Sequence, residues 1–229
     1  MLGIGGTDYY LHGNLEYTKQ LIAYIFPGEE KLVSYDSLEE IPPYDGNPYV
    51  VLHDNIPSFT EEELSREPYE FYSELDSLGR CGVTEAMVSK ELMPTEPRGE
   101  IGMIRPSGWH TAKYDIIDDK FLFNRCHLIA FELTGENDNE RNLITGTRYM
   151  NFNGMLPWEN KVAQYVRWNR DQVLYRVTPI FAGNELVARG VQIEAQSVKT
   201  KEIQFNIFVY NVQPDIVIDY RTGSSWIKG

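Results

Sequence analysis

Two cysteines, Cys81 and Cys126, are all the thiols in this 229-residue chain. They permit one disulfide at most, and the lack of a Cys-x-x-Cys pair argues against a structural zinc site. Long hydrophobic runs are missing too. The longest clean one near the start, Leu21 to Phe26, falls far short of the about 20 residues a membrane span needs. The start also lacks the basic stretch and longer apolar run of a signal peptide. The chain as given is therefore expected to be soluble, as a mature form would be after losing a leader. Repeats and low-complexity tracts are absent. Positive charge is scarce, with a formal net charge of -13, which as an average speaks against simple nucleic-acid binding.

The distribution of charge says more than its sum. Residues 1–90 carry 17 Asp/Glu against 5 Lys/Arg, whereas residues 91–229 are nearly balanced at 17 against 16. Within residues 120–176 the basic side chains outnumber the acidic, 8 to 6. A phosphate ligand would be steered to that window and away from the acidic amino-terminal part. At 42% hydrophobic and 13% aromatic, the chain has ample material for one core. Residues 1–229 are expected to form a single domain.

Apolar spacing predicts a helix over Asn14–Phe26, and Tyr49–Leu52 reads as a strand after the turn Asp45-Gly46-Asn47-Pro48. Thr60-Glu61-Glu62-Glu63 is a capping-box pattern, predicting a helix that runs toward Leu78. Beyond residue 110, Tyr114–Ile117 and Phe121–Phe123 flank Asp118-Asp119-Lys120 as a hairpin. A polar loop, Gly135–Asn142, precedes a helix over Met155–Trp168. Three strands follow, at Val173–Ile180, Leu186–Glu194 and Ile203–Val212. This order predicts an α+β fold.

The chemistry concentrates between residues 124 and 159. Asn124-Arg125-Cys126-His127 places an arginine two residues before a histidine at a strand end; alone, such a histidine is more often packed or superficial. The helix that follows carries an anomaly. Met155, Trp158, Val162 and Val166 share its apolar stripe, and Glu159 falls inside that stripe. A carboxylate there needs a partner, unless it sits at the stripe's edge and reaches solvent. Asn151, eight residues earlier, would lie about 80° round from it. Asparagines are dense nearby, at 137, 139, 142, 151 and 153. Amide oxygens suit hard cations such as Mg²⁺, although Asn137 and Asn139 read as ordinary loop residues.

Together these residues resemble the DNA/RNA non-specific endonucleases of the ββα-metal fold. That family carries Asp-Arg-Gly-His on a strand, then an Asn at a helix start and a Glu eight residues on. Arg125, His127, Asn151 and Glu159 stand at those positions, and Asn142 at that of a further family Asn. The stretches Arg141–Tyr149, Gly154–Asn160, Leu92–Glu96 and Tyr210–Pro214 are similar to the secreted, phage-encoded DNases of streptococci, a likeness over about residues 40–225.

The resemblance implies a ββα core within 110–180, an antiparallel central sheet flanked by helices, and hydrolysis of DNA or RNA by a secreted monomer. It implies His127 as general base, Asn151 as ligand of Mg²⁺ (Mn²⁺ or Ca²⁺ being alternatives), and Glu159 orienting metal-bound water. Arg125 would stabilise the pentacovalent state or fix the histidine strand, Asn142 would position the metal site or its loop, and Arg98 or Arg105 would clamp phosphate.

Two departures stand out: Asn124 replaces the family Asp, and Cys126 the family Gly. They leave two rivals, a binding or inhibitor-like module on the same scaffold and a cysteine hydrolase using Cys126 with His127. His12, His53 and His110 lack matching partners and read as structural or surface residues. Gly3-Ile4-Gly5-Gly6 lacks the preceding strand and spacing of a phosphate loop.

Overall fold

Along Val173–Ile180 (β6), Val173, Tyr175 and Val177 alternate with Leu174, Arg176 and Thr178, and all six are buried. A strand covered on both faces belongs in the middle of a layered structure. A computed structural model describes residues 38, 41–169 and 171–229. The expected helix at Asn14–Phe26, His12 and the glycines at 3, 5 and 6 lie outside the described residues.

Ten strands are described: β1 (Tyr49–Val51), β2 (Glu70–Tyr72), β3 (Thr84–Val88), β4 (Phe123–His127), β5 (Leu143–Thr147), β6, β7 (Gly190–Ser197), β8 (Gln204–Tyr210), β9 (Ile216–Asp219) and β10 (Ser224–Ile227). Six form one antiparallel sheet in the order β1-β8-β7-β6-β3-β2. The pair β4–β5 stands apart from it, as does the pair β9–β10. Of the helices, α1 (Glu61–Leu64) and α2 (Phe131–Thr134) are single turns, and α3 (Leu156–Asn169) is the long one. The fold is thus α+β with a central antiparallel sheet, and β4, β5 and α3 supply the ββα unit.

The apolar stripe read from the sequence seats α3 on the sheet. Met155, Val162 and Val166 are fully buried with Tyr175, Phe205 and Ile207 in one core, and the Trp158 ring lies 4.7 Å from that of Phe205. The opposite face of the sheet carries a charge cluster. Buried Arg176 pairs with Glu85, with Glu63 of α1 at 2.5 Å and with Glu194 at 3.8 Å. One buried amide ties β5 to the region beside the sheet. Asn211 accepts from Thr147 N at 2.8 Å and donates to the carbonyls of Thr145 and Ala188 at 3.0 and 2.9 Å.

Several expectations need correction. The capping box at Thr60 forms as read, but the helix ends at Leu64 instead of running toward Leu78. Pro68 disfavours helix in the residue before it, and Glu70–Tyr72 pairs with β3. Residues 114–120 form turns closed by one bridge, Lys113 to Phe121, with Lys120 at φ 64°, so no two-strand hairpin forms there. The strand placed at Leu186–Glu194 starts at Gly190. The chain closes with the extra β9–β10 pair.

Candidate active site

His127 ends β4 and is 6% exposed. Its Nε2 lies 2.8 Å from the Asn137 carbonyl oxygen. A carbonyl only accepts, so Nε2 carries the proton and Nδ1 keeps the lone pair. Nδ1 in turn accepts from the Arg98 guanidinium at 3.1 Å. Burial first, and then the Arg98 charge, push the imidazole down to about 4 against the pull of the Asn137 carbonyl. The ring is therefore neutral at ordinary pH, with a defined tautomer.

The partners of His127 come from the loop that the sequence reading set aside. Asn137 also accepts from Gly99 N at 3.2 Å, next to Arg98, so one residue holds both the ring and the loop bearing the guanidinium. The structure thereby separates Arg98 from Arg105: Arg98 reaches the histidine, and Arg105 is an exposed neighbour whose charge acts on Arg125. Asn139 is the loop residue expected, accepting from Arg141 N at 3.0 Å.

Arg125, two residues before His127 on β4 and so on the same face of the strand, is anchored by the loop that precedes the strand. Its guanidinium donates to the Ile104 and Gly102 carbonyls and stacks 4.0 Å from the Trp109 ring centroid. That geometry fixes the strand to the 101–109 loop. Asn142 is fully buried and braces the chain just past His127: Oδ1 accepts from Ile129 N at 2.8 Å, and Nδ2 donates to Ile129 O at 2.9 Å.

A π-helical turn, Met150–Met155, precedes α3 and carries Asn151. Glu159 follows on α3 and is buried, so of the two readings left open it lies within the apolar stripe and does not reach solvent from its edge. No hydrogen bond joins its carboxylate to another described residue. Burial first, then the Glu132 charge, push it up to about 8, against Arg98. Asn124 Oδ1 is likewise a buried acceptor without a partner. Arg98, Asn124, Arg125, Arg148 and Asn151 line one cavity of about 490 Å³. Arg148, missed as a site residue in the sequence, is ion-paired there with Asp119 at 2.5 Å. Its signal was membership of the basic window.

An unsatisfied amide oxygen, Asn124 Oδ1, in a cavity that Asn151 also lines fits a hard cation with few protein ligands and several waters. Among the described residues no group of three or more His, Cys, Asp or Glu is placed to hold a metal.

The two departures have physical accounts. Cys126 is fully buried, paired with Ile144 and packed against its diagonal neighbour Gly146: a Cβ on Gly146 would lie 2.3 Å from the Cys126 Sγ, so the missing side chain on β5 makes the room. Burial pushes the Cys126 thiol well up, and Glu159 adds to it. A thiol held protonated is a poor nucleophile. Cys81 is free and buried as well, so the two cysteines do not pair. His110 is exposed, with Nε2 2.9 Å from the Thr222 carbonyl, and His53 opens a short 3-10 turn.

The family described as DNA/RNA non-specific endonuclease matches residues 60–199. A curated "Deoxyribonuclease" of Streptococcus dysgalactiae subsp. equisimilis is 35% identical over a stretch covering 44% of this chain. That stretch spans 32% of the relative's length. Among solved structures, NucA from Streptococcus agalactiae with magnesium bound is 25% identical, with a TM-score of 0.69 over 78% of this chain and 86% of that one. Sda1 nuclease with bound zinc is 24% identical, with a TM-score of 0.66 over 80% of this chain and 97% of that one, a likeness of fold.

Proposed function

Since the chain belongs to the DNA/RNA non-specific endonuclease family, we propose that it hydrolyses phosphodiester bonds of DNA, with RNA as a second substrate, using His127 as general base and a divalent cation. The observation that carries this reading is the tautomer of His127, whose Nε2–H is committed to Asn137 while Nδ1 keeps its lone pair.

Nδ1 takes a proton from water as that water attacks phosphorus in line, and the bond to the 3′ oxygen breaks. Arg98 leaves the ring nitrogen for the phosphate, to which a guanidinium can bind with two parallel hydrogen bonds. Arg125 holds the histidine strand to the 101–109 loop, and Asn142 holds the chain beyond it. Asn151 would hold the cation, and Glu159 would orient its waters. When bound, Mg²⁺, or Mn²⁺ or Ca²⁺ in its place, supplies positive charge to the phosphate and the leaving oxygen. The magnesium-bound NucA relative supports Mg²⁺ as the first choice.

The proposed enzyme acts as a monomer, and the streptococcal likeness supports a secreted enzyme. Among the described residues no helix is long and apolar enough to cross a membrane. Nicking of a supercoiled plasmid tests the proposal. Cleavage with Mg²⁺ that stops with EDTA and in His127→Ala is expected; no nicking between pH 6 and 9 with Mg²⁺ or Mn²⁺ would sink it in favour of the binding-module rival.

A further inference from the structure

The cavity beside Asn151 has a second kind of wall. Phe121 and Phe152 both line it and are 42% and 41% exposed, unusual for large apolar rings at a polar site. Trp109 lines it as well. Each ring has a cation over it: Lys113 Nζ lies 4.4 Å from the Phe121 centroid, Arg148 3.4 Å from that of Phe152, and Arg125 4.0 Å from that of Trp109. The volume of about 490 Å³ falls within the roughly 300–1,000 Å³ of pockets that take small molecules.

Exposed aromatic faces interleaved with guanidinium groups are the chemistry that receives unstacked bases and their phosphates. Paired bases stack on their own neighbours and present only edges, so rings lining this cavity gain most from a base that has left the stack. Asp119, ion-paired with Arg148, supplies the counter-charge that a phosphate would replace.

We propose that the Phe121–Phe152 wall is a nucleotide subsite: it takes a base turned out of the stack, with the adjoining phosphate on Arg148, so that single-stranded or melted stretches are cut faster than closed duplex. This rests on the nuclease reading above. It makes Phe121 and Phe152 specificity-determining residues of the same site.

The test compares cleavage of a short labelled oligonucleotide alone and annealed to its complement. The wild type is expected to favour the single strand, and Phe121→Leu or Phe152→Leu to lower the ratio of the two rates about tenfold. Phe121→Tyr and Phe152→Tyr, which keep the rings, should retain it. Phe121 is the cleaner position because it lies outside the π-helical turn that bears Asn151. Equal rates on both substrates, or a ratio unchanged in both leucine variants, overturn the inference.

A wild type that cuts nothing would defeat the nuclease reading alone. Binding then decides the subsite, with His127→Ala protein titrated against oligothymidylate and against the same strand lacking bases. Tighter binding of the base-bearing strand, lost in Phe121→Leu, supports it; equal affinity overturns it.

Discussion

The guanidinium of Arg98 stands 3.1 Å from Nδ1 of His127, on the ring nitrogen that keeps the lone pair. In the proposed mechanism Arg98 covers the base until a phosphate draws it away, so its removal would take out a phosphate ligand and a positive charge beside the ring together. Arg98→Ala is expected to lower kcat/KM by about ten- to a hundredfold, the scale of a charged hydrogen bond. It should also move the acid limb of the pH profile upward, because that charge helps hold the imidazole low. A loss of rate with an unmoved limb would place Arg98 on the substrate alone.

The wild-type pH profile follows from the same ring. Its folded pKa lies at about 4, below the ordinary 6.5, so the neutral base persists down through pH 5 and is lost only as pH falls through about 4. Initial rates of oligonucleotide cleavage from pH 4 to 9 check this. A limb near 6.5 would mean that the ring is solvated in the working enzyme. His127→Ala should cost about 10²–10⁴-fold at any pH above that limb.

Metal binding should register as stability. A ligand at a hundred times its Kd stabilises by about 2.7 kcal/mol, which for a unit of this size raises Tm by about 5–10 °C. Thermal melts with and without Mg²⁺ should show such a rise in the wild type and lose it in Asn151→Ala. A rise of equal size in Asn151→Ala would remove that residue from the metal.

Cys126→Ala separates the thiol rival. The thiol is buried and held protonated, so cleavage should persist within about threefold while stability drops by about 1–2 kcal/mol for the lost packing. Abolished cleavage by a folded variant would restore the cysteine mechanism.

On the far face of the sheet, Arg176→Ala would strand Glu63, Glu85 and Glu194 together. Removing one partner of a buried ion cluster costs about 3–5 kcal/mol. Chemical denaturation at pH 8 and pH 4 should show the larger deficit at pH 8, because, against the upward push of burial, the Arg176 charge helps hold the Glu63 carboxyl below its ordinary value and that stabilisation is present only above the carboxylate range.

Much of this site was legible because spacing carries geometry. An apolar stripe with Glu159 inside it announced a buried carboxylate, whereas the π-helical turn that carries Asn151 departs from the 100° step on which its place relative to Glu159 was read. The turn at Thr60 was equally plain, since a capping box is a local device, but its helix length depended on Pro68 and on pairing with β3. That strand, Thr84–Val88, escaped because burial on both faces erases alternation. Arg98 could not be told from Arg105, since the path of the 98–109 loop decides between them. Asn137 was least legible of all. It holds His127 through a main-chain carbonyl, a group every residue has.

Asn211 also sets an order of events. It lies 64 residues after Thr147, whose amide it receives, and it spans from β5 to Ala188 beside the sheet. A fragment trimmed to the ββα unit would leave these buried amide and carbonyl groups unmet, so no miniature enzyme can be cut from this chain at that border. During synthesis the β4–β5 pair therefore waits for Asn211, which follows β8, before these buried groups are met.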